Sequence, residues 1–215
     1  DLVDMIFISM LGIDELAAAV GFAGTILFMT TSISIGMGIA GGALVARSLG
    51  EHKPERATEM LTHVLIVGVA FAIVFAAVIF ANLEGLTGMI GAVGETQDLA
   101  VSYLRIVIPT MPILLIGIVG SAALRSHGAA KLSMIVTLVA GVVNAVLDPI
   151  LIFWLEWGLD GAAVGLVLFR FSLMGLGLYY AVHQCGLVDR PRLRTLRNIS
   201  APFIAVAIPA VATQM

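Results

Sequence analysis

Residues 132–155 read LSMIVTLVAGVVNAVLDPILIFWL, 24 residues with a single charge, Asp148. A helix needs about 20 consecutive apolar residues to cross a bilayer, so this stretch fits a spanning helix. Working outward with the same length criterion, further apolar windows fall at 16–46, 60–82, 99–124 and 161–184, with a partial window at 1–12 and the start of another near 203. The pattern predicts an all-α membrane protein: a six-helix transmembrane bundle over residues 1–200, its first helix truncated, then the start of a seventh helix over 201–215.

Composition agrees. Hydrophobic residues make up 60% of the chain, charged residues 12%, and the mean hydropathy is +1.09; a soluble domain carries about 25% charged residues. A net charge of -3 offers no basic face for phosphates, which argues against a nucleic-acid partner. The lone cysteine, Cys185, excludes an internal disulfide and lacks the companions of a metal site. No basic n-region or small-residue cleavage site marks a signal peptide. The first window is too short to span, so the chain is expected to be a piece of a longer protein.

Lys and Arg predict orientation. Arg47, Lys53 and Arg56 follow the second window, Arg125 and Lys131 the fourth, and Arg190, Arg192, Arg194 and Arg197 the sixth. The connectors after the first, third and fifth windows hold none. The even-numbered connectors are therefore expected in the cytoplasm of a multi-pass protein of the cell membrane.

Two acids lie inside the apolar windows, Asp4 in VDMIFISML and Asp148 in NAVLDPILIF. An ionised carboxylate is expensive at that depth, and such residues usually face an ion path, a partner or water. Asp4 precedes Gly12 by eight residues and Asp148 precedes Glu156 by eight, which at helix rise puts both roughly 12 Å inside the same outer boundary. Asn144 shares a face with Asp148 at i, i+4, and Gly141 is expected to extend that face. Pro149 has no N–H for the carbonyl of Ala145, leaving a further acceptor nearby. These are oxygen ligands only, the set that a proton or a hard cation requires. An Asp148–Asn144 bond that merely joins helices is the plainer alternative; two acids at one depth favour a site. Arg170, nine residues into the sixth window, lies near the same depth. It would pair with one of the acids, or sit in a wet cavity or reach an interface. Arg105 lies near a helix start and is expected to snorkel outward.

Other features have structural readings. Gly38 with Gly42, and Gly161 with Gly165, form small-xxx-small pairs suited to close helix packing. Pro109 and Pro112 should kink the fourth span and Pro149 the fifth. Thr25, Thr30, Thr31, Ser32 and Ser34 either face a cavity or bond their own carbonyls. Scattered methionines suit core packing more than a drug cavity. His52, His63, His127 and His183 are expected at the cytoplasmic interface.

The chain also resembles the amino-terminal half of the multidrug and toxic compound extrusion (MATE) transporters. The resemblance is carried in order by VDMIFISMLGIDELAAAVG from Val3, GMGIAGGALVARSLG from Gly36, ALRSHGAAKLSM from Ala123, NAVLDPILIF from Asn144 and GLDGAAVGL from Gly158. It implies one lobe of a two-lobe, twelve-helix transporter, with the second lobe and the lipid bilayer as partners. It implies no enzyme, but an antiporter exporting small organic compounds, cationic or amphipathic, driven by proton or sodium entry with no other cofactor. The coupling residues of the family map onto Asp4, Asn144 and Asp148. A further family position, the threonine of a GAAxAT string, is here Leu166 after Gly161 to Gly165, which offers no oxygen to sodium. That departure favours a proton, with sodium at Asp4, Asn144 and Asp148 the alternative. An intramembrane aspartyl protease would call for GxGD inside a span; GLDG at Gly158 lies at the outer interface instead. A flippase for lipid-linked saccharides has a similar helix plan but would need a basic cavity, for which only Arg170 qualifies.

Overall fold

The computed structural model describes residues 2–183 and 186, with side chains from Met5 onward. Asp1, Cys185, the basic connector 187–200 and the segment 201–215 lie outside the described residues, as does the side chain of Asp4.

Short turns aside, the described residues are helical: α1 (Leu2–Ser9), α2 (Asp14–Gly50), α3 (Pro54–Ala81), α4 (Leu83–Met89), α5 (Gly94–Val107), α6 (Met111–Ser126), α7 (Ala130–Pro149) and α8 (Gly158–His183). Five stretches are long and apolar enough to cross a membrane: α2, α3, α5 continued by α6, α7 with the turn after it, and α8. In hydrocarbon the backbone has no water to bond, so a helix, which satisfies its own N–H and C=O groups, is the state these runs must take. The expected all-helical bundle is therefore what forms.

The prolines act where the sequence puts them. Pro54 opens α3 in its first turn, where a missing N–H costs nothing. Pro109 lies within a single 3₁₀ turn, Ile108–Thr110, and Pro112 in the first turn of α6 just after it; the 3₁₀ turn divides the fourth span into α5 and α6. After Pro149 the chain widens into a π turn, Ile150–Trp154, in which the Leu155 N–H bonds the Ile150 carbonyl at 2.9 Å.

Segment 82–98, expected as a connector, instead holds α4. Gln97 Nε2 donates to the Glu84 carbonyl at 2.8 Å and Arg105 Nη2 pairs with Glu84 Oε1 at 3.4 Å, so this short helix is tied to the start of α5. Arg105 is exposed there as expected, but it stands in the last turn of α5, not near a helix start.

On α7 polarity is inverted relative to a soluble helix. Met134, Leu138, Val142 and Val146, four residues apart, are exposed, whereas Ser133, Val136, Ala140, Asn144 and Asp148 face the bundle. Ala140, not Gly141, extends the buried face below Asn144, because Gly141 is exposed. His63, expected at the interface, is 1% exposed, with Nδ1 2.6 Å from the Glu59 carbonyl.

Glycines set the helix spacing. A Cβ on Gly117 would meet the backbone of Leu173 and Met174 at 3.0 Å, and one on Gly120 would meet Gly177 at 3.1 Å, so α6 and α8 touch backbone to backbone. Gly38 makes room for Ile118, and at Gly42 the carbonyl accepts a bond from Ser126 Oγ at 2.8 Å. At the amino-terminal end of α8 a Cβ on Gly161 would stand 2.7 Å from the Leu151 carbonyl oxygen, which also accepts the Trp157 N–H. Backbone cannot rotate away as a side chain can. Gly161→Ala is therefore expected to lower stability by about 1–3 kcal/mol; an unchanged melting temperature of the full-length protein in detergent would show the contact to be slack.

Candidate functional site: a buried carboxylate and a cationic cleft

Asp148 sits on the last turn of α7, immediately before Pro149, and is 0% exposed. The helical period brings Asn144 under it, and Asn144 Nδ2 donates to Asp148 Oδ2 at 2.7 Å. That length is at the short end of the N–H···O range. The second carboxylate oxygen lies against α8 where Gly165 has no side chain: a Cβ there would overlap Asp148 Oδ1. Gly165 is thus a slot for the acid, a role that its reading as a packing residue missed; the only sequence signal was the small pair with Gly161.

Three elements meet here. The π turn lays Leu151 and Ile152 against the start of α8, and both are buried. On the far side α1 packs through Phe7, whose ring meets Phe153 edge-on at 6.1 Å. Ile8, one turn after residue 4 on α1, is 0% exposed. The backbone thus brings the helix that carries Asp4 to the carboxy-terminal end of α7. Leu166, next to Gly165, is buried. Asp148 and Asn144 offer carboxylate and amide oxygens to a proton or cation. Among the described residues no three His, Cys, Asp or Glu side chains gather into a metal-binding group.

Arg170 is 2% exposed and its visible bonds run to the kink of the fourth span. In the 3₁₀ turn the Met111 N–H bonds Ile108 rather than Val107, and the Val107 carbonyl takes side-chain donors as well. Arg170 Nη1 donates to it at 2.9 Å and to Thr110 Oγ1 at 2.9 Å, while Thr110 Oγ1 itself donates to Val107 at 2.7 Å. The guanidinium is thus held at the break in the fourth span.

Below this point a cleft of about 280 Å³ opens between α2, α6, α7 and α8. Thr31, Ser121, Thr137, Arg125 and Arg170 supply its polar wall, and Ile35, Leu114, Phe169 and Leu173 are among its apolar residues. The hydroxyls of α2 divide as its polarity implied: Thr30 and Ser34 bond their own helix carbonyls at 2.9 and 3.0 Å, while Thr31 faces the cleft.

The MatE family model matches residues 1–150. The multidrug export protein MepA of Staphylococcus saprophyticus is 30% identical over 213 residues, covering 97% of this chain and 47% of that protein. A FAD transporter of Shewanella oneidensis is 26% identical, covering 88% of this chain and 42% of that protein. A crystal structure of MATE in the bent conformation superimposes with a TM-score of 0.90 at 28% identity, over 99% of this chain and 48% of that one. The chain spans about half the length of the relatives it matches.

Proposed function

The chain belongs to the MatE family, and from that premise we propose that it forms the amino-terminal lobe of a proton-coupled exporter of small amphipathic organic compounds. Asp148 is the proton-binding group, Asn144 its positioning partner and Asp4 the second acid. The observation that carries this reading is a carboxylate with no exposed surface, bonded to an amide one turn away and seated in a glycine slot inside a membrane span.

Burial of an ionised acid in such a place is costly, and protonation removes that cost. A protonated Asp148 favours a closed, dry lobe, and an ionised one favours a lobe opened to water. Proton entry therefore biases a two-state equilibrium, and cargo release follows the bias. A proton suits the position better than sodium because Leu166 brings hydrocarbon where the family's threonine would bring oxygen.

The coverage of relatives by about half supports a second lobe beyond this chain. For sidedness the support is the turn after α2. Arg47, Lys53 and Arg56 surround Glu51 at 3.2, 3.1 and 3.4 Å, and Lys53 and Arg47 hold its carboxyl below the ordinary carboxylate value. Three cations on one acid leave this connector net positive, as a cytoplasmic loop would be.

The test is export by the full-length protein in proteoliposomes under a proton gradient or a sodium gradient, each imposed alone. The proton gradient is expected to drive export and the sodium gradient to leave it at the leak rate. Sodium-driven export without proton-driven export would overturn the choice of ion. No export under either would overturn the transport reading itself.

A further inference from the structure

The cleft between α2, α6, α7 and α8 has a polarity that the coupling site does not explain. Two arginines line it, and no carboxylate does among the described residues. Both arginines are held by neutral oxygens. Arg125 Nη1 donates to Ser133 Oγ at 2.8 Å and Ser121 Oγ at 3.4 Å, and those two hydroxyls bond each other at 2.8 Å. Arg170 is held by the Val107 carbonyl and Thr110, which fix its guanidinium through Nη1. Its Nε, buried with the rest of the residue, has no hydrogen-bond partner among the described residues.

The two charges stand at different heights. Gly117 lies beside Leu173 and Gly120 beside Gly177. Arg170 is therefore level with about residue 114 on α6, and Arg125 lies roughly 16 Å further along that helix. Arg170 is at the buried end of the cleft and Arg125 at an exposed one. Ile118 and Leu173 lie between those heights, and Phe169, Leu114 and Ile35 stand about level with Arg170. A cation entering this space would lose water and meet only positive charge, a pairing that the low local dielectric makes more unfavourable. An anion would meet a pre-oriented donor at the inner end and an attracting charge at the mouth.

We propose that the cargo taken by this cleft is an amphipathic organic anion, its acid group at the Arg170 end and its apolar body along Phe169, Leu114 and Ile35. The assignment rests on the export reading above and narrows it, since the sequence left cationic and amphipathic cargo both open.

Two fluorescent probes test it in the full-length protein: naphthalenesulfonate, an aromatic anion, and ethidium, an aromatic cation. The sulfonate is expected to be exported and to bind about tenfold or more tightly than ethidium, with Arg170→Gln abolishing that preference. Arg125→Gln is expected to slow sulfonate association and weaken its dependence on salt. Export of ethidium without sulfonate binding, or equal affinity for both, overturns the anion assignment and leaves export standing. Export of neither probe overturns both proposals. If Arg170→Gln does not fold, Arg125→Gln carries the test, because its charge is exposed and outside the kink: sulfonate association unchanged at low salt overturns the proposal.

Discussion

Asp148→Asn in the full-length transporter is expected to abolish gradient-driven export and leave the protein folded. The substitution keeps the size and planarity of the side chain. Its amide oxygen accepts the Asn144 Nδ2 bond now 2.7 Å long, and its other end fills the slot at Gly165. Packing around Leu151 and Ile152 has no reason to change. What disappears is ionisation. The amide is neutral in both the open and the closed lobe, so the proton gradient has no differential free energy with which to bias them, and a ligand that binds two states equally shifts neither.

The expected result is export at the leak rate under a proton gradient, with a melting temperature within a few degrees of wild type and cargo binding retained. A stability change of up to about 1 kcal/mol fits, since the bond to Asn144 survives in weakened, uncharged form. Wild-type rates of proton-driven export from the variant would remove Asp148 from the coupling role. Collapse of the fold would show instead that the carboxylate is a structural strut. The two results are separable because melting and transport are read independently.

Much of the architecture was legible because lipid leaves the backbone so few choices. A long run with one charge, such as 132–155, has to be helical, and proline marks where its hydrogen-bond ladder opens. Pro109 and Pro112 gave the break at 108–110, and Pro149 the widened turn after it. The Asn144–Asp148 bond was legible for a similar reason, since i, i+4 neighbours on a helix need no tertiary information to meet. Asp4 was found through depth and family resemblance; its side chain lies outside the described residues.

What escaped depends on contacts between helices. The seven residues of α4 carry too little pattern to stand out from a connector, and their helix is tied down by Gln97 and Arg105 from the next element. Arg170 read as a charge partner or as a cation in a wet cavity. Its bonds to Val107 and Thr110 join two separate spans and are visible only once the helices are packed. Ala140 and Gly141 stand at about 40° and 60° on opposite sides of Asn144, so only the packing of neighbouring helices decides that the first is buried and the second exposed.

The slot at Gly165 is the clearest of these tertiary features, and Gly165→Ala is expected to damage both stability and coupling. A methyl group there coincides with Asp148 Oδ1. Two escapes exist. If α8 shifts, its contacts at Gly161, with the Leu151 carbonyl already close, and at Gly117 and Gly120 against α6 are disturbed as well, an overpacking penalty of about 1–3 kcal/mol. If the carboxylate swings away, the bond to Asn144 is lost and a buried acid goes unsupported, which costs about 1.5–3 kcal/mol more. Melting reports the first escape and proton-driven export the second, so each has its own signature. A double-mutant cycle isolates the slot: in an Asp148→Ala background the added methyl meets no oxygen and should cost far less, giving a coupling energy of about 2 kcal/mol. Additive effects of the two substitutions would mean that Gly165 and Asp148 do not share the space, and that the fit of the acid against α8 contributes nothing to holding it.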